Sequence, residues 1–169
     1  MEFIRIKSLT EADFDGVIVS AGGSRISQEG SADYLFNEGI IELKLVKEEG
    51  FEKTDRQAKL ASLFRQAQPN RPVVLLQPKK LNAVDSRNYY RIVEVPIKNA
   101  CKKASKQLQA TAARLDPTPV RVLVIINVGY TLLSPDEFKD VCFKCVRNDT
   151  SGIDWIVITH DHRPTPLIR

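Results

Sequence analysis

Three charged residues near position 40 have the types and the spacing of a metal-dependent hydrolytic site. Glu42 and Lys44 stand within the apolar segment 40–46, and Asp33 precedes a shorter apolar segment at 34–36. Two carboxylates are hard oxygen ligands suited to Mg²⁺, which keeps several waters and takes few protein ligands. A metal ion held there would polarise a phosphoryl oxygen and lower the pKa of its bound water. Lys44 would orient that water or stabilise the negative charge that grows on the phosphate.

A β-hairpin is the element that must bring these charges together. The two apolar segments flank a glycine-containing turn, which predicts a hairpin. Side chains alternate between the two faces of a strand, so Glu42 and Lys44 share one face. With a two-residue loop at Glu38-Gly39, Asp33 would lie opposite Lys44 on that face. A shift of the register by one residue would turn Asp33 to the other face.

The alternative is an edge hairpin whose charged face meets solvent. Edge strands often carry Lys and Glu, because charges discourage pairing with a second chain. Ile40 and Val46 share the face of Glu42 and Lys44, however, which favours a face that is at least partly covered. Charges on a covered face offset one another's desolvation, whereas burial of any one of them alone would be costly.

The rest of the chain predicts an α/β fold with a mixed central sheet and helices on both faces. Continuous apolar strands that alternate with helical segments are typical of a covered sheet, and the hairpin adds an antiparallel part. The N-terminal segments 3–6 and 15–20 are typical of short strands, or of a strand beside a helix. The predicted order continues with an edge strand at 24–28, the hairpin, a helix from Thr54, a strand at 72–77, an ambiguous segment at 85–95, a helix from Pro96 to 115, a strand at 120–128, a helix from Ser134 and a strand at 153–159.

A known signature has the same order of residues. Asp33, an eight-residue spacer and Glu42-Leu43-Lys44 in an apolar strand resemble the D…(D/E)xK signature of the PD-(D/E)XK nuclease superfamily, which has the restriction-endonuclease-like fold. The resemblance implies that Asp33 and Glu42 bind Mg²⁺ or Mn²⁺ and that Lys44 is the catalytic lysine. It also implies a core of a helix, a three-stranded antiparallel meander, a second helix and a further strand. Residues 8–77 follow this order, and the remainder would be a C-terminal α/β extension.

Two features of the family pattern match this sequence less closely than the signature does. Ala32 stands before Asp33, where the family often has proline. The family frequently adds a polar residue from the helix that follows the signature strand, and Gln57 is the candidate for such a catalytic role. The competing interpretation is local, because Thr54 and Gln57 match a capping box, in which the glutamine bonds back to the start of its own helix. Glu11 stands at a similar capping-box position.

Four lysines form a basic stripe opposite the apolar stripe of the predicted helix 96–115; they are Lys98, Lys102, Lys103 and Lys106. They could bind nucleic acid by contacting its phosphates, which supplies affinity without sequence information. The alternative is an ordinary solvated helix face. The formal net charge of +4 is compatible with either interpretation.

Length and composition suit a single nuclease-like domain over residues 1–169, since 43% of the residues are hydrophobic and 27% are charged. No segment approaches the roughly 18 apolar residues of a membrane span, and the first residues lack the pattern of a signal peptide. The three cysteines lack a zinc-like spacing, so we expect buried thiols in a reducing, cytoplasmic environment.

These observations predict a metal-dependent endonuclease that hydrolyses nucleic-acid phosphodiester bonds, with DNA preferred over RNA because most relatives act on DNA. The alternative is a non-catalytic nucleic-acid-binding or protein-interaction module with the same fold. We expect no separate recognition domain in a chain of this length. Specificity would then come from loops or from a partner, either a second copy of the chain or an accessory protein, and no membrane partner is expected.

Overall fold

The computed structural model describes residues 11–47, 53–67 and 78–160. The chain divides into two compact units, one of residues 1–47 and 97–169 and the other of residues 48–96. The helices of the described ranges are α1 (Glu11–Ser20), α2 (Thr54–Ala67), α3 (Ala83–Val93), α4 (Val95–Ala112) and α5 (Pro135–Asp149). The strands are β1 (Ser24–Arg25), β2 (Tyr34–Phe36), β3 (Gly39–Val46), β4 (Val120–Asn127) and β5 (Trp155–His160).

The described strands form one mixed sheet in the order β1-β2-β3-β4-β5. The first three strands pair antiparallel, and β3, β4 and β5 pair parallel. Residues 123–127 of β4, the strand between β3 and β5, are all buried. A strand buried on both faces needs a continuous apolar run rather than an alternating one. The predicted α/β class with a mixed central sheet is therefore confirmed.

Helices lie on both faces of this sheet, as predicted. On one face, Phe14 and Ile18 of α1 pack in a cluster with Ile41 and Leu43 of β3. On the other face, the side chain of Lys44 in β3 donates a hydrogen bond to helix α4. The alternation predicted for β3 is confirmed, since Ile41 and Leu43 face α1 whereas Lys44 faces α4.

The segment 15–20 is part of helix α1, so of the two alternatives predicted for the N-terminal segments, a short strand at 15–20 is wrong. Its run of β-branched residues favours a strand in isolation. Phe14 and Ile18 lie one helical turn apart and are both buried, whereas Val17 and Val19 are exposed. Burial of one large apolar side chain contributes about 1.5–3 kcal/mol, and a β-branched residue in a helix costs at most about 0.7 kcal/mol. Packing on the sheet therefore outweighs local propensity.

The predicted hairpin is confirmed, but its loop lies at Asn37-Glu38, one residue earlier than predicted. Phe36 pairs with Gly39, which leaves only these two residues in the loop. Asn37 has a φ of 51°. This left-handed conformation is one that Asn tolerates better than other residues with a side chain, which explains why the turn forms there.

The earlier loop shifts the register of the hairpin by two residues. Tyr34 pairs with Ile41, so the position directly opposite Asp33 is that of Glu42 rather than Lys44. A shift of two residues leaves every side chain on its original face, because the period of a strand is two. Asp33 therefore keeps the predicted face, but with Glu42 as its closest position across the hairpin.

Several other predictions can be placed on these elements. The ambiguous segment 85–95 falls within helices, mostly α3, and the predicted strand at 24–28 is reduced to β1. β4 pairs parallel with β3 in the sheet. The predicted strands at 3–6 and 72–77 lie outside the described residues. The part of the chain after residue 77 contributes both β4 and β5 to the central sheet.

The unit of residues 48–96 contains α2 and α3, which pack through aromatic and aliphatic side chains. Phe64 of α2 and Tyr89 of α3 meet edge to face, with ring centroids 5.8 Å apart. Leu60 and Val93 are buried as well. No helix among the described residues has both the length and the apolar composition that crossing a membrane requires.

Strand β5 forms an edge of the sheet among the described strands. Trp155 and Val157 on this strand are 69% and 49% exposed. Both pair with β4 residues of the α1 face, Val122 and Val124, so helix α1 leaves this margin of the face open to solvent.

Candidate active site

Glu42 is the buried centre of the charged cluster on β3. Its side chain is 0% exposed, and its Oε1 accepts a short hydrogen bond from Nζ of Lys44. Its second oxygen, Oε2, is also buried and has no hydrogen-bond partner among the described residues. A buried carboxylate oxygen without a partner is unfavourable, so this atom marks a place where a cation or a polar ligand would be stabilised.

The pKa of Glu42 reports the charges around it. This pKa is raised from 4.5 to about 7: burial is the largest cause and the negative charge of Asp33 acts in the same sense, whereas Lys44 and Lys103 act in the opposite sense. The hydrogen bond and the charge of Lys44 are the stronger opposing effects. Desolvation thus exceeds the compensation that the two lysines provide. Additional positive charge beside Glu42 would therefore stabilise its ionised carboxylate.

Asp33 is held against β3 by the main chain. Its Oδ2 accepts a hydrogen bond of 2.7 Å from the amide of Leu43, the residue between Glu42 and Lys44. Its own amide donates to the carbonyl of Ile41 at 3.0 Å. These two bonds place the Asp33 carboxylate beside the signature strand. The structure thus brings together the three residues predicted to form the site.

Helix α4 supplies a residue that the sequence interpretation missed, Gln107. Its Oε1 accepts a hydrogen bond from Nζ of Lys44 at 3.0 Å, and its Nε2 donates to the carbonyl of Ser31 at 3.0 Å. One amide therefore links the lysine of β3 to the segment that precedes Asp33.

A second contact from the same helix supports this segment. Thr111, one turn after Gln107, donates to the Gln107 carbonyl at 2.9 Å and accepts from the buried amide of Ala32 at 2.8 Å. Arg114 donates to Oγ of Ser31 at 3.2 Å. The sequence contained one signal for this contact: Gln107 and Thr111 are polar, stand four residues apart beside the apolar stripe, and therefore share a face of the helix.

Gln57 lies in the unit of residues 48–96, with an exposed side chain. Helix α2 begins at Thr54, and the Gln57 amide donates to the carbonyl of Lys53 at 3.1 Å. Lys53 therefore occupies the position before the helix that the capping-box pattern assigned to Thr54. The catalytic role of Gln57 stays a prediction. Glu11 begins helix α1, and its side chain lies outside the described part of the structure.

The predicted basic stripe lies on α4. Lys102, Lys103 and Lys106 are exposed, and Lys98 is partly buried. The predicted apolar stripe of this helix is buried at Ile97, Cys101, Ala104 and Leu108. The helix ends at Ala112, so Leu115, which was predicted to extend the stripe, lies beyond it and is exposed. Lys103 precedes Gln107 by one turn, and its charge lowers the pKa of Glu42. The basic stripe and the carboxylate cluster are therefore contiguous.

The donor set fits a divalent cation of the Mg²⁺ type. In residues 11–47, 53–67 and 78–160, no group of three or more His, Cys, Asp or Glu side chains is placed to hold a metal ion. Asp33 and Glu42 would thus be the only acidic ligands from the described residues, with water and substrate oxygens completing the shell, as Mg²⁺ commonly accepts. The buried Oε2 of Glu42 without a partner is the structural feature that favours a cation here.

The cysteines do not contribute a nucleophile to this site. Cys101, Cys142 and Cys145 are buried free thiols, as predicted. Burial raises the pKa of Cys142 to about 12, and the neighbouring Cys145 adds to this effect. A thiol with such a pKa is almost entirely protonated at neutral pH and is inert as a nucleophile.

Comparisons of this chain with models of protein families, with curated proteins and with solved structures found no match.

Proposed function

We propose that this protein is a metal-dependent nuclease that hydrolyses phosphodiester bonds of nucleic acid, with DNA preferred over RNA on the basis of the family that the signature resembles. The observation that carries the proposal is the state of Glu42. It is fully buried, it is paired with Lys44 on one oxygen, and its other oxygen lacks a partner among the described residues. A purely structural ion pair would not need an unsatisfied oxygen and a second acid, Asp33, beside it.

Asp33 and Glu42 are the residues that would hold Mg²⁺ or Mn²⁺. When bound, such an ion supplies Lewis-acid polarisation of a phosphoryl oxygen and a water of lowered pKa. The ion would also offset the desolvation that raises the pKa of Glu42, since an adjacent positive charge favours the carboxylate form. Binding of the metal and ionisation of Glu42 thus support each other.

Lys44 is the chain's own electrophilic group at this site. Its side chain is 17% exposed, so part of it remains open to solvent beside the buried Glu42. Oε1 of Gln107 accepts a hydrogen bond from the ammonium group of Lys44 and fixes its direction. A lysine held in this way stabilises negative charge on a phosphate in the transition state without a large rearrangement.

Substrate binding would use the exposed lysines of α4. Lys103 is close enough to Glu42 to influence its pKa, and Lys102 and Lys106 are exposed on the same helix. Cations of this kind bind the sugar-phosphate backbone, with an affinity that falls as salt rises. Apart from α2 and α3, which stand between β3 and α4 in sequence, the order of α1, the antiparallel strands β1–β3, α4 and β4 agrees with the core order of the PD-(D/E)XK family, which supports the proposal.

The test is a cleavage assay of the full chain on linear, circular and single-stranded DNA and on RNA, with Mg²⁺, Mn²⁺ or EDTA. We expect metal-dependent cleavage that Glu42→Gln and Lys44→Met both abolish, while the fold is retained. Glu38→Gln is the matched control, because Glu38 is an exposed acid in the loop of the same hairpin. Cleavage that survives in Glu42→Gln, or no cleavage with any metal, would contradict the proposal.

The alternative function is nucleic-acid binding or protein interaction without catalysis. The exposed lysines of α4 are compatible with it, since phosphate contacts do not require the carboxylates. It predicts binding of nucleic acid without metal-dependent cleavage, and no change in that binding in Glu42→Gln. The mass of the protein in solution, measured alone and with nucleic acid, tests whether a second copy takes part.

A further inference from the structure

The unit of residues 48–96 contains a cleft of about 360 Å³ with an excess of positive charge. Lys53, Arg56 and Lys59 line it from the start of α2, and Arg91 lines it from α3. The only acid among its lining residues is Asp55. Four cations and one anion give the described lining a formal charge of +3.

Three of the cations form a row: Lys53 stands just before α2, and Arg56 and Lys59 lie within it. They recur every three residues, and each step advances about 4.5 Å along a helix, at about 1.5 Å per residue. No ion pair or side-chain hydrogen bond joins any of the four cations to another residue in the described part of the chain. Like charges gathered around a concavity repel one another, and an anion in the cleft would relieve that repulsion.

The cleft also has an apolar wall. Ile92 and Val95, both partly buried, line it beside Arg91. A ligand that fits such a cleft combines repeated negative charge with an apolar or aromatic part. Nucleic acid has both, since its phosphates suit the row of cations, and its sugars and bases suit aliphatic side chains. Arg56 and Arg91 add planar groups that can bind a phosphate through two hydrogen bonds.

We propose that this cleft binds the sugar-phosphate backbone of a nucleic-acid strand, as a contact surface additional to the lysines of α4. The inference rests on the proposed function for the identity of the ligand, but the cleft contains none of the residues assigned to hydrolysis. It adds affinity and salt dependence to substrate binding and contributes nothing to the chemical step.

The test is nucleic-acid binding by the full chain in EDTA, which separates binding from cleavage. The probe is a fluorescein-labelled DNA oligonucleotide, and its anisotropy is measured over a series of salt concentrations. In the double variant Lys53→Gln/Lys59→Gln, we expect the affinity to fall about tenfold at low salt. The slope of log K against log salt should become shallower by about 1.4–1.8, since each lost phosphate contact removes about 0.7–0.9.

The matched control is Lys79→Gln/Lys80→Gln. These lysines are exposed in the same unit and do not line the cleft, so the control removes the same charge from another place. An equal change of affinity and slope in the control would overturn the proposal, because the effect would then reflect net charge alone. Circular dichroism and thermal unfolding of both variants verify that the fold is retained.

Three competitors identify the ligand. Unlabelled DNA should displace the probe, whereas a nucleoside monophosphate and a polyglutamate peptide at equal phosphate or carboxylate concentration should not. Preferential displacement by either of the latter would reassign the cleft and overturn the proposal. A shallower slope of log K against log salt in the Lys53/Lys59 variant, without any cleavage by the unmodified chain, would support the cleft and contradict the nuclease. Cleavage by the unmodified chain, together with an unchanged slope in the Lys53/Lys59 variant, would support the nuclease and contradict the cleft.

Discussion

Gln107 of helix α4 accepts a hydrogen bond of 3.0 Å from Nζ of Lys44 in strand β3, across 63 residues of sequence. The same amide donates to the carbonyl of Ser31, two residues before Asp33. An amide side chain offers both an acceptor and a donor, so it can hold a lysine and a main-chain carbonyl at once. The charged cluster of the hairpin is therefore positioned by a helix that lies far away in the sequence.

Gln107→Leu should slow hydrolysis about tenfold, because Lys44 loses a hydrogen bond that fixes its direction and one such bond contributes about 1.4 kcal/mol. The measurement is the rate of cleavage at saturating substrate, together with the midpoint of thermal unfolding. Gln109→Leu is the control, since Gln109 is an exposed glutamine of the same helix. Equal rates in the two variants would show that Gln107 does not position the lysine.

Glu42→Gln should remove a pH dependence of folding stability. Burial raises the pKa of Glu42 from 4.5 to about 7, so between these values the folded protein retains a proton that the unfolded chain has released. The free energy of unfolding therefore falls as the pH rises through this window, by about 3 kcal/mol in total. Because the variant cannot ionise here, it should match the unmodified protein near the lower limit and exceed its stability at about pH 8.

Chemical denaturation at a series of pH values measures this difference. The metal must be removed with EDTA, since a bound cation would favour the ionised form and hide the effect. Glu38→Gln again serves as the control, because its exposed carboxylate should leave the pH profile unchanged. A parallel pair of profiles for Glu42→Gln and the unmodified protein would contradict the raised pKa.

Metal affinity should increase as the pH rises through about 7. A proton and a cation compete for Glu42, whose pKa is raised to about 7 by burial. Each decrease of one pH unit below that value should weaken binding of Mn²⁺ by nearly tenfold, and above it the affinity should become constant. Isothermal titration of Mn²⁺ into the protein at several pH values tests this, and an affinity that does not change across the window would refute it.

Thr111→Val should destabilise the protein by about 1–3 kcal/mol, the usual cost of a buried donor left without its acceptor. The donor is the amide of Ala32, which bonds to Oγ1 of Thr111 at 2.8 Å. Urea denaturation measures the change. Thr118→Val, at an exposed position after α4, should leave the free energy of unfolding nearly unaltered. Similar effects of both substitutions would count against this bond as an anchor of the segment before Asp33.

The sequence predicted those elements whose signals are local and consistent. Helix α5 begins as expected, because Ser134 and Glu137 form a reciprocal capping box. The hairpin was also predictable, since two apolar segments flank a short polar turn. Its loop lies one residue earlier than predicted because Asn37 tolerates a left-handed backbone. The choice between adjacent two-residue loops depends on which residues can adopt that conformation.

The candidate site was predictable only in its hairpin part. Asp33, Glu42 and Lys44 are close in sequence, so strand geometry alone constrains them. Gln107 could not be assigned to the site in this way, because its contact depends on how α4 packs on the sheet. Gln57 was predicted because α2 is the helix that follows β3 in sequence, whereas the helix that contacts Lys44 is α4.

Trp155 provides an optical probe of one margin of the molecule. It is the only tryptophan of the chain, and it stands 69% exposed on strand β5. Its emission should be that of an indole in water even in the native protein, so unfolding will shift the spectrum little. A blue shift on mixing with another molecule would therefore report that something has covered this strand, rather than that the interior has changed.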